Sequence, residues 1–524
     1  MGPRGMLRPM KMPLAMGLVV VLAAGCSEPG DDLSGSLPLL ECEIGIVGGG
    51  VAGTYMAYRL APKSGDKVCL FEKESELGGR TRDTTLDGHP DSPRVGTGAR
   101  RIMENQASMF ALAEELGVQF EKPELGTDLI NARETFAYSR DAFLPLYPGV
   151  EGPLDDDDAT DRESELYELL RHGPERANAA NYADFRTYIR SVAGEEELEF
   201  LRDMSRFRGD FDYPLAAENY FTWLDEEWDT CCTPSYPIGG MSAFTRAMEE
   251  GALEGGARIF KSEPVLEISR GADGGYRLRT DAHEVKVQKL VIAAPPDGVD
   301  HIEGEVVEKI RERPEYRALL PIRVTVVNQW WDSAWWQNIE NPEATGEKQT
   351  RRAWTTEHCV NFVEIPTEPY AKAQNVTRSV YNDDLLCAKF WEELLAAGGI
   401  AAVEAEVLRG LDHLFNNGVS SPAMVGIPQP LKTEMNVWPG GWYYVRAGAD
   451  ISNQEITEWS REPLPGEADV MLVGEAYWPQ RPGWSIGAYN SADKLLAAKF
   501  GVERLLERAA VTGSPRKTRA QGGH

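Results

Sequence analysis

A glycine-rich turn between two short apolar runs constrains this chain more than any other stretch. The turn and its flanks are residues 44–47, then Gly48-x-Gly50-x-x-Gly53, a helical stretch, and the run 68–71 that ends at Glu72. The glycines allow a tight turn and a close backbone approach, and the helix beginning there directs its N-terminus at an anion. Because strand, glycines, helix, strand and acid follow in this order, the pattern predicts a βαβ unit that binds a dinucleotide.

Residues around this unit are expected to contact the same dinucleotide. The carboxylate of Glu72 can accept hydrogen bonds from a ribose 2′-hydroxyl. A second glycine pair, Gly78-Gly79, precedes Arg80, whose guanidinium can lie near a phosphate. The predicted contacts of this first segment are Gly48, Gly50, Val51, Ala52, Gly53, Glu72, Lys73, Gly79 and Arg80.

Length and charge limit the class of protein. A chain of 524 residues is expected to form two or three domains, and its 42% hydrophobic and 26% charged residues are ordinary for a globular protein. The formal net charge of −29 argues against nucleic acid and against an anionic membrane surface as partners. A negative charge suits cationic small substrates, and the alternative is that it serves only to keep the protein soluble.

The N-terminus predicts export. Residues 1–25 combine a basic start with the apolar stretch 13–24, which is too short to span a bilayer, and so are interpreted as a signal peptide. The residues before Cys26 resemble a bacterial lipoprotein cleavage site, which implies a lipid on Cys26 and a protein held at a membrane in the periplasm or at the cell surface. Residues 26–40 are expected to be a tether. Ordinary secretion stays open, because Ala23 stands where a larger aliphatic residue is usual.

Cysteine spacing predicts no metal site. Cys69 lies in a predicted buried strand and is expected to be a free, inert thiol, and the neighbours Cys231 and Cys232 cannot easily bond each other. Export permits disulfides, but their connectivity stays open.

Apolar patterning divides the chain into a split architecture. One α/β domain is predicted from three parts, residues 41–107, 235–300 and 461–510, with a helical subdomain at 108–234 and a mixed-sheet, substrate-binding domain at 301–460. Within these parts, residues 470–475 are expected to be a buried strand, and a long helix is expected to reach Arg508. The tail 511–524 is expected to be disordered.

Four motifs together resemble the flavin-containing amine oxidase family, which includes monoamine, polyamine and L-amino-acid oxidases. They are Gly48 to Gly53 with Glu72 and Gly78-Gly79-Arg80; Pro237-Ile238-Gly239-Gly240-Met241; Glu263-Pro264-Val265; and Gly474-Glu475 with Gly483-Trp484-Ser485-Ile486-Gly487-Ala488. The mature chain is most similar to bacterial FAD-dependent L-amino-acid oxidases. The resemblance implies a split Rossmann-like FAD domain of the GR2 type, with FAD bound noncovalently because no cysteine lies near Trp442.

The resemblance also implies further cofactor contacts. The backbone of Val265 would face the adenine, and the carboxylate of Glu475 would bind the ribityl or pyrophosphate part. The helix after Gly487 would aim its N-terminus at the flavin and stabilise negative charge there. The contacts implied in this way are Gly98, Ala99, Arg100, Val265, Gly474, Glu475, Trp484, Ser485, Ile486 and Ala488.

The same resemblance implies a substrate site. The loop Gly98-Ala99-Arg100-Arg101 resembles one whose arginine clamps a substrate carboxylate, and the motif selects Arg101; alternatively, Arg101 binds an FAD phosphate or a neighbouring acid. Trp484 would form an aromatic wall, Trp442 would line the pocket, and Arg323 stands where relatives carry a lysine near the flavin. These four residues, Arg101, Trp484, Trp442 and Arg323, are the predicted catalytic group, and a second clamp residue is either Tyr381 or Tyr443.

Acidic residues from Asp225 to Asp229 are open to two interpretations. They could receive a cationic substrate side chain, but a solvated helix face is favoured. The strand around Trp442 looks like that of bacterial and molluscan oxidases that favour basic amino acids.

The expected activity is oxidation of an L-amino acid by hydride transfer from its α-carbon, giving a 2-oxo acid, ammonia and hydrogen peroxide. An amine or polyamine oxidase, a dehydrogenase that uses a quinone instead of molecular oxygen, and a noncatalytic flavoprotein are the alternatives. A homodimer stays open, because the sequence does not determine the oligomeric state.

Overall fold

The computed structural model describes residues 37–88, 94–122, 126–151, 161–228, 234–272, 274–339, 349–365, 375–416 and 426–505. The predicted signal peptide, most of the tether, Cys231, Cys232 and the predicted disordered tail lie outside these residues. In the described part of the chain, no helix is long and apolar enough to cross a membrane.

The strands in chain order are β1 (Leu39–Val47), β2 (Val68–Phe71), β3 (Asp83–Thr84), β4 (Val95–Gly96), β5 (Ile102–Met103), β6 (Phe120–Glu121), β7 (Gly126–Ala132), β8 (Thr135–Ala137), β9 (Pro234–Pro237), β10 (Arg258–Phe260), β11 (Glu267–Arg270), β12 (Tyr276–Arg279), β13 (Glu284–Ile292), β14 (Leu319–Trp330), β15 (Gln349–Thr355), β16 (Phe362–Glu364), β17 (Val376–Asn382), β18 (Lys432–Val445) and β19 (Val470–Leu472). The α-helices are α1 (Val51–Ser64), α2 (Ala107–Leu116), α3 (Arg162–His172), α4 (Phe185–Val192), α5 (Glu195–Met204), α6 (Gly209–Asp212), α7 (Ala217–Trp228), α8 (Ser242–Glu254), α9 (Pro296–Val299), α10 (Glu305–Arg311), α11 (Pro314–Arg317), α12 (Leu385–Asn416), α13 (Asn453–Trp459) and α14 (Ser485–Leu495).

The first sheet is assembled from three distant parts of the chain. Its order is β10-β2-β1-β13-β12-β11, and β19 also pairs with β13. β10, β2, β1, β13 and β19 run parallel, whereas β11 and β12 form an antiparallel hairpin. Since β2 and β19 are buried along their whole length, their apolar runs suit a parallel sheet that is covered on both faces. The topology confirms the predicted split α/β fold, while the domain boundaries stay predictions.

Helices α1, α8 and α14 cover one face of this sheet. Small residues let α1 pack closely, and its Ala57, Leu60 and Ala61 share a core with Met248 of α8 and Ala492 of α14. This packing holds the N-terminus of α1 at the carboxyl ends of β1 and β2, where open α/β sheets bind ligands.

The second sheet has the order β18-β14-β17-β16-β15-β7-β8 in the described part of the chain. Val324 and Val326 of β14 face the predicted helical subdomain, where they share a core with Tyr188 and Phe221. Val327, on the other face of β14, packs in the core that contains the residues of α12. The sheet is therefore enclosed by helices on both sides.

The C-terminal helix is shorter than the sequence predicts. After α14, residues Leu496–Phe500 form one wider helical turn, and Gly501 then adopts a left-handed φ of 62° that ends the helix. The prediction of a continuous helix to Arg508 is therefore wrong at residues 501–504, and residues 506–508 lie outside the described part.

Two disulfides correct the cysteine prediction. Cys69 is bonded to Cys42, and Cys359 is bonded to Cys387. The expectation of a free Cys69 is wrong because β1 and β2 are neighbours in the sheet, so that their side chains meet although 27 residues separate them.

Close packing in the glycine turn leaves no room for a side chain at Gly53. A Cβ at this position would overlap the carbonyl oxygen of Gly48, whereas a Cβ at Gly50, where φ is −67°, would meet no atom within 4 Å. Gly53→Ala is therefore expected to lower the free energy of unfolding by about 1–3 kcal/mol, as overpacking does. Gly50→Ala is the matched control and should unfold like the wild type in urea when any bound ligand has been removed from both proteins. Equal stability of the two variants would contradict the packing argument.

Candidate functional site

The glycine turn leaves an open cradle in front of α1. Gly48 has a φ of 102°, which favours glycine, and α1 begins after Gly50 without a side-chain cap. A Cβ at Gly79 would meet only the Cα of Gly50, at 3.3 Å. A Cβ at Gly50 would meet no atom within 4 Å, so open space that a pyrophosphate fits lies in front of the first amides of α1, and the predicted contacts of Val51, Ala52 and Gly53 stay predictions.

Glu72 lies beside this cradle, at the end of β2. Its carboxylate oxygens accept hydrogen bonds from the backbone amides of Gly49, at 2.6 Å, and Glu74, at 2.9 Å. Burial raises the pKa of Glu72. Each oxygen keeps a further lone pair, so the carboxylate still suits a ribose hydroxyl. The side chain of Lys73 is 72% exposed beside Glu74, and its predicted cofactor contact stays a prediction.

Arg80 joins this region to the C-terminal motif. Its Nη1 atom donates to Glu475 at 2.9 Å and to the carbonyl oxygens of Gly440 and Gly441 at 3.1 and 2.8 Å. Glu475 also accepts from the amides of Tyr443 and Gly483, at 3.2 and 2.9 Å. The structure thus gives Arg80 and Glu475 positioning contacts, and their predicted contacts with the cofactor stay predictions.

The loop before α14 packs against one of the predicted aromatic residues. A Cβ at Gly483 would lie 3.7 Å from Cγ of Trp442, so the loop before Trp484 packs against that ring. The buried hydroxyl of Ser485 has no hydrogen-bond partner among the described residues. Ile486 and Ala488 face the core of the first domain. The helix N-terminus and the unpaired hydroxyl of Ser485 together suit a polar ring system.

Val265 provides a similar opening at the other end of the site. Its side chain is buried, and its backbone amide and carbonyl make no hydrogen bond within the described part of the chain. Such a backbone edge suits an adenine. Cradle, acid, unpaired backbone and helix N-terminus are together the parts that FAD requires, so these residues fit that cofactor.

The arginine loop packs directly on the cradle. The amides of Thr97 and Ala99 donate to the carbonyl oxygens of Arg82 and Arg80, each at 3.0 Å, and a Cβ at Gly98 would overlap Arg80. The loop therefore holds its next two residues at a fixed distance from the cofactor site.

Three arginines converge on one glutamate. Arg101 lies 2.9 Å, Arg100 3.3 Å and Arg378 3.2 Å from the carboxylate of Glu364. Burial lowers the pKa of Arg378 to about 10 in spite of Glu364. Sequence reasoning missed Glu364 and Arg378, although charged residues inside the apolar strands β16 and β17 are the signal that could have found them.

Arg101 is the most open of the three. Its side chain is 26% exposed against 7% for Arg100, and it donates to Glu364 through Nη1 alone among the described residues. Burial opposes its charge, but Glu364 together with Tyr236 and Tyr381 more than offsets this, so the pKa of Arg101 is raised. Arg101 is therefore a permanent cation with donors to spare.

The two candidates for the second clamp differ in their surroundings. The hydroxyl of Tyr443 is held by Asp297. The ring of Tyr381 lies beside Phe207 and Phe362, with centroids 5.8 and 6.0 Å away, and its hydroxyl makes no hydrogen bond within the described part. Burial, followed by Asp383, raises the pKa of Tyr381 well above its usual value, so the phenol is neutral.

Two other predicted residues have structural partners. Arg323 forms an ion pair with Glu392 of α12, and its predicted position near the flavin stays a prediction. Asp225 accepts a hydrogen bond from the buried Arg171 at 2.9 Å, in line with a helix-face role. The described part of the chain contains no group of three or more metal-binding side chains.

Known proteins provide an independent comparison. The chain is 24% identical to Achacin of Lissachatina fulica over 93% of this chain and 100% of that protein. It is 23% identical to putrescine oxidase of Kocuria rosea over 52% of this chain and 60% of that protein.

Solved structures show the same fold at low identity. Cyclohexylamine oxidase from Brevibacterium oxydans superimposes with a TM-score of 0.63 at 16% identity, covering 90% of this chain and 99% of that one. Putrescine oxidase bound to putrescine superimposes with a TM-score of 0.59, also at 16% identity, covering 88% of this chain and 100% of that one.

A family model is the comparison that decides membership. The model of flavin containing amine oxidoreductases matches residues 51–494, which include the last residues of the glycine turn, the arginine loop and the start of α14. The resemblance predicted from the motifs is thereby confirmed: this chain belongs to the flavin-containing amine oxidoreductase family.

Proposed function

We propose that the protein is an FAD-dependent oxidase of L-amino acids in which Arg101 binds the substrate carboxylate. The observation that carries this proposal is the cluster of Arg100, Arg101 and Arg378 around Glu364. A simple amine brings no anion to such a cluster, whereas an amino acid brings a carboxylate. A planar guanidinium holds a carboxylate bidentately and so orients the α-carbon.

Tyr381 is the second clamp residue in this proposal. Its neutral hydroxyl can donate to the carboxylate, because no described residue accepts from it, whereas Tyr443 is already held by Asp297. Phe207 and Phe362 beside Tyr381 keep water from the substrate and strengthen the ionic contact.

The chain's own residues bind, orient and enclose the substrate. FAD, held noncovalently by the cradle, Glu72, Val265 and the start of α14, would supply the acceptor for the two electrons and the hydrogen that leave the α-carbon as hydride. Arg101 and Tyr381 fix the carboxylate, and Trp442 and Trp484 bound the reacting end. No side chain is needed as a base if the amine binds neutral. Water then hydrolyses the imine to a 2-oxo acid and ammonia, and molecular oxygen takes up the electrons as hydrogen peroxide.

An amine oxidase is the second candidate, because two of the similar proteins are a putrescine oxidase and a cyclohexylamine oxidase. A quinone in place of oxygen is a variant of the first candidate. Anaerobic mixing separates them: bleaching of oxidised flavin by amino acids or by simple amines reports the substrate class, and subsequent addition of oxygen or quinone reports the acceptor.

Export and lipid attachment at Cys26 are further parts of this proposal. The two disulfides support an oxidising compartment. Cells fed labelled palmitate should incorporate label into the wild type and not into Cys26→Ser. Equal labelling of both would refute the lipid site.

Arg101→Gln is expected to lower kcat/KM for the best L-amino acid by about 100-fold, since a charge-assisted hydrogen bond to the carboxylate is lost. The rate of flavin reduction in the FAD-loaded protein, followed by stopped flow, measures this loss. Arg101→Lys keeps the charge, so its value should lie between those of the wild type and Arg101→Gln. The flavin content of both variants should match the wild type. If simple amines bleach the flavin and Arg101→Gln changes nothing, the carboxylate clamp is wrong.

Gly50→Ala is expected to weaken FAD binding by at least about tenfold, because its new methyl group occupies the space in front of α1 that the pyrophosphate needs. Gly426→Ala is the matched control, since a Cβ there also meets no atom within 4 Å and the residue lies far along the chain in an exposed segment. Fluorescence titration of the apoprotein gives both dissociation constants. Unchanged FAD affinity in Gly50→Ala would place the pyrophosphate elsewhere.

A further inference from the structure

Arg206 is a cation that the carboxylate clamp does not use. It lies between α5 and α6, with its guanidinium carbon 5.9 Å from the ring centre of Trp354 and 5.8 Å from that of Phe362. The next residue, Phe207, lies at 5.9 Å. Three aromatic rings therefore hold the guanidinium in place by cation–π contacts, which leave the hydrogen-bond donors at its edge available.

The acids near Arg206 are committed to other arginines. Asp128 is bound by Arg352 through two bonds of 2.6 and 2.9 Å, and Glu163 lies 2.6 Å from Arg140. Arg206 itself forms no ion pair and no side-chain hydrogen bond with any described residue. Burial, followed by Arg352, lowers the pKa of Arg206 to about 9, so that it is still a cation at neutral pH.

Arg206 and Arg101 both lie near the aromatic pair of Phe362 and Tyr381. Phe362 lies next to the Arg206 guanidinium and 6.0 Å from the ring of Tyr381, and Arg101 is close enough to contribute to the lowered pKa of Arg206. The charge of Arg101 also acts on Tyr381, whose pKa it lowers against the larger effect of burial. A substrate whose carboxylate contacts Arg101 and Tyr381 therefore has a second cation within reach of its side chain.

We propose that Arg206 binds an anionic group on the substrate side chain, so that the site selects acidic L-amino acids such as L-glutamate or L-aspartate. This inference rests on the proposed function and deepens it by naming the substrate class. A partly buried arginine whose nearby acids are bound by other arginines is unfavourable unless a ligand supplies an anion. The same charge repels the distal ammonium group of a basic amino acid or a diamine. The proposal thus opposes the preference for basic amino acids that the Trp442 strand suggests.

Pairs of substrates with equal shape test this assignment. L-glutamate against L-glutamine and L-aspartate against L-asparagine differ only in the side-chain charge. In the FAD-loaded wild type, kcat/KM for at least one acid is expected to exceed that for its amide by about 10- to 100-fold. Arg206→Gln should remove most of this preference, Arg206→Lys should keep part of it, and the surface control Arg190→Gln should leave it unchanged. If L-amino acids reduce the flavin but neither acid is preferred over its amide, the proposed role of Arg206 is wrong.

A binding measurement keeps the test independent of turnover and of variant folding. Glutarate and butyrate have similar chains, but only glutarate carries a second carboxylate. Perturbation of the flavin spectrum in the wild type should show glutarate binding about tenfold or more tighter, and Arg206→Gln should abolish the difference. Equal affinities in the wild type overturn the proposal even if both variants fail to fold. If glutarate is preferred and no amino acid reduces the flavin, the anion site stands and the proposed oxidase activity fails.

Discussion

The ion pair between Arg80 and Glu475 is the contact on which the arrangement of the site depends. It joins the turn after β2, the strand β18 through Gly440 and Gly441, and the segment after β19. Burial raises the pKa of Glu475, and the Arg80 charge opposes this effect. Removing one partner of a buried pair costs about 3–5 kcal/mol in proteins. Because Arg80 also donates to the carbonyl oxygens of Gly440 and Gly441, this pair keeps the turn after β2 and the strand β18 in a defined relation.

Charge organises the substrate side of the site in the same way. Arg100, Arg101 and Arg378 share Glu364, and burial, with a smaller effect of Arg100 and Arg101, lowers the pKa of Arg378. Such an arrangement is stable without a ligand only because Glu364 and the backbone carbonyls of Gly96 and Gly98 partly balance it. Under the proposed function, a bound substrate carboxylate would complete the balance.

Sequence reasoning reached some of these features and missed others for identifiable reasons. Gly53 and Glu72 are recognisable from the sequence because the residues that determine their roles lie in one short segment. The bond between Cys42 and Cys69 was missed because it depends on strand pairing. Glu364, Arg378 and Arg206 were missed because they come from three elements with no shared motif, and their charges acquire meaning only when they lie side by side.

The sequence by itself determined the βαβ unit, the split α/β fold and the family, since these follow from local backbone requirements and from motifs of contiguous residues. Only the tertiary structure decided which acids are already paired and which arginines keep unused donors. Glu475 is committed to Arg80 and Asp128 to Arg352, whereas Arg101 retains open donors. The physical reason is that electrostatic balance depends on distances across the fold, which no spacing along the chain encodes.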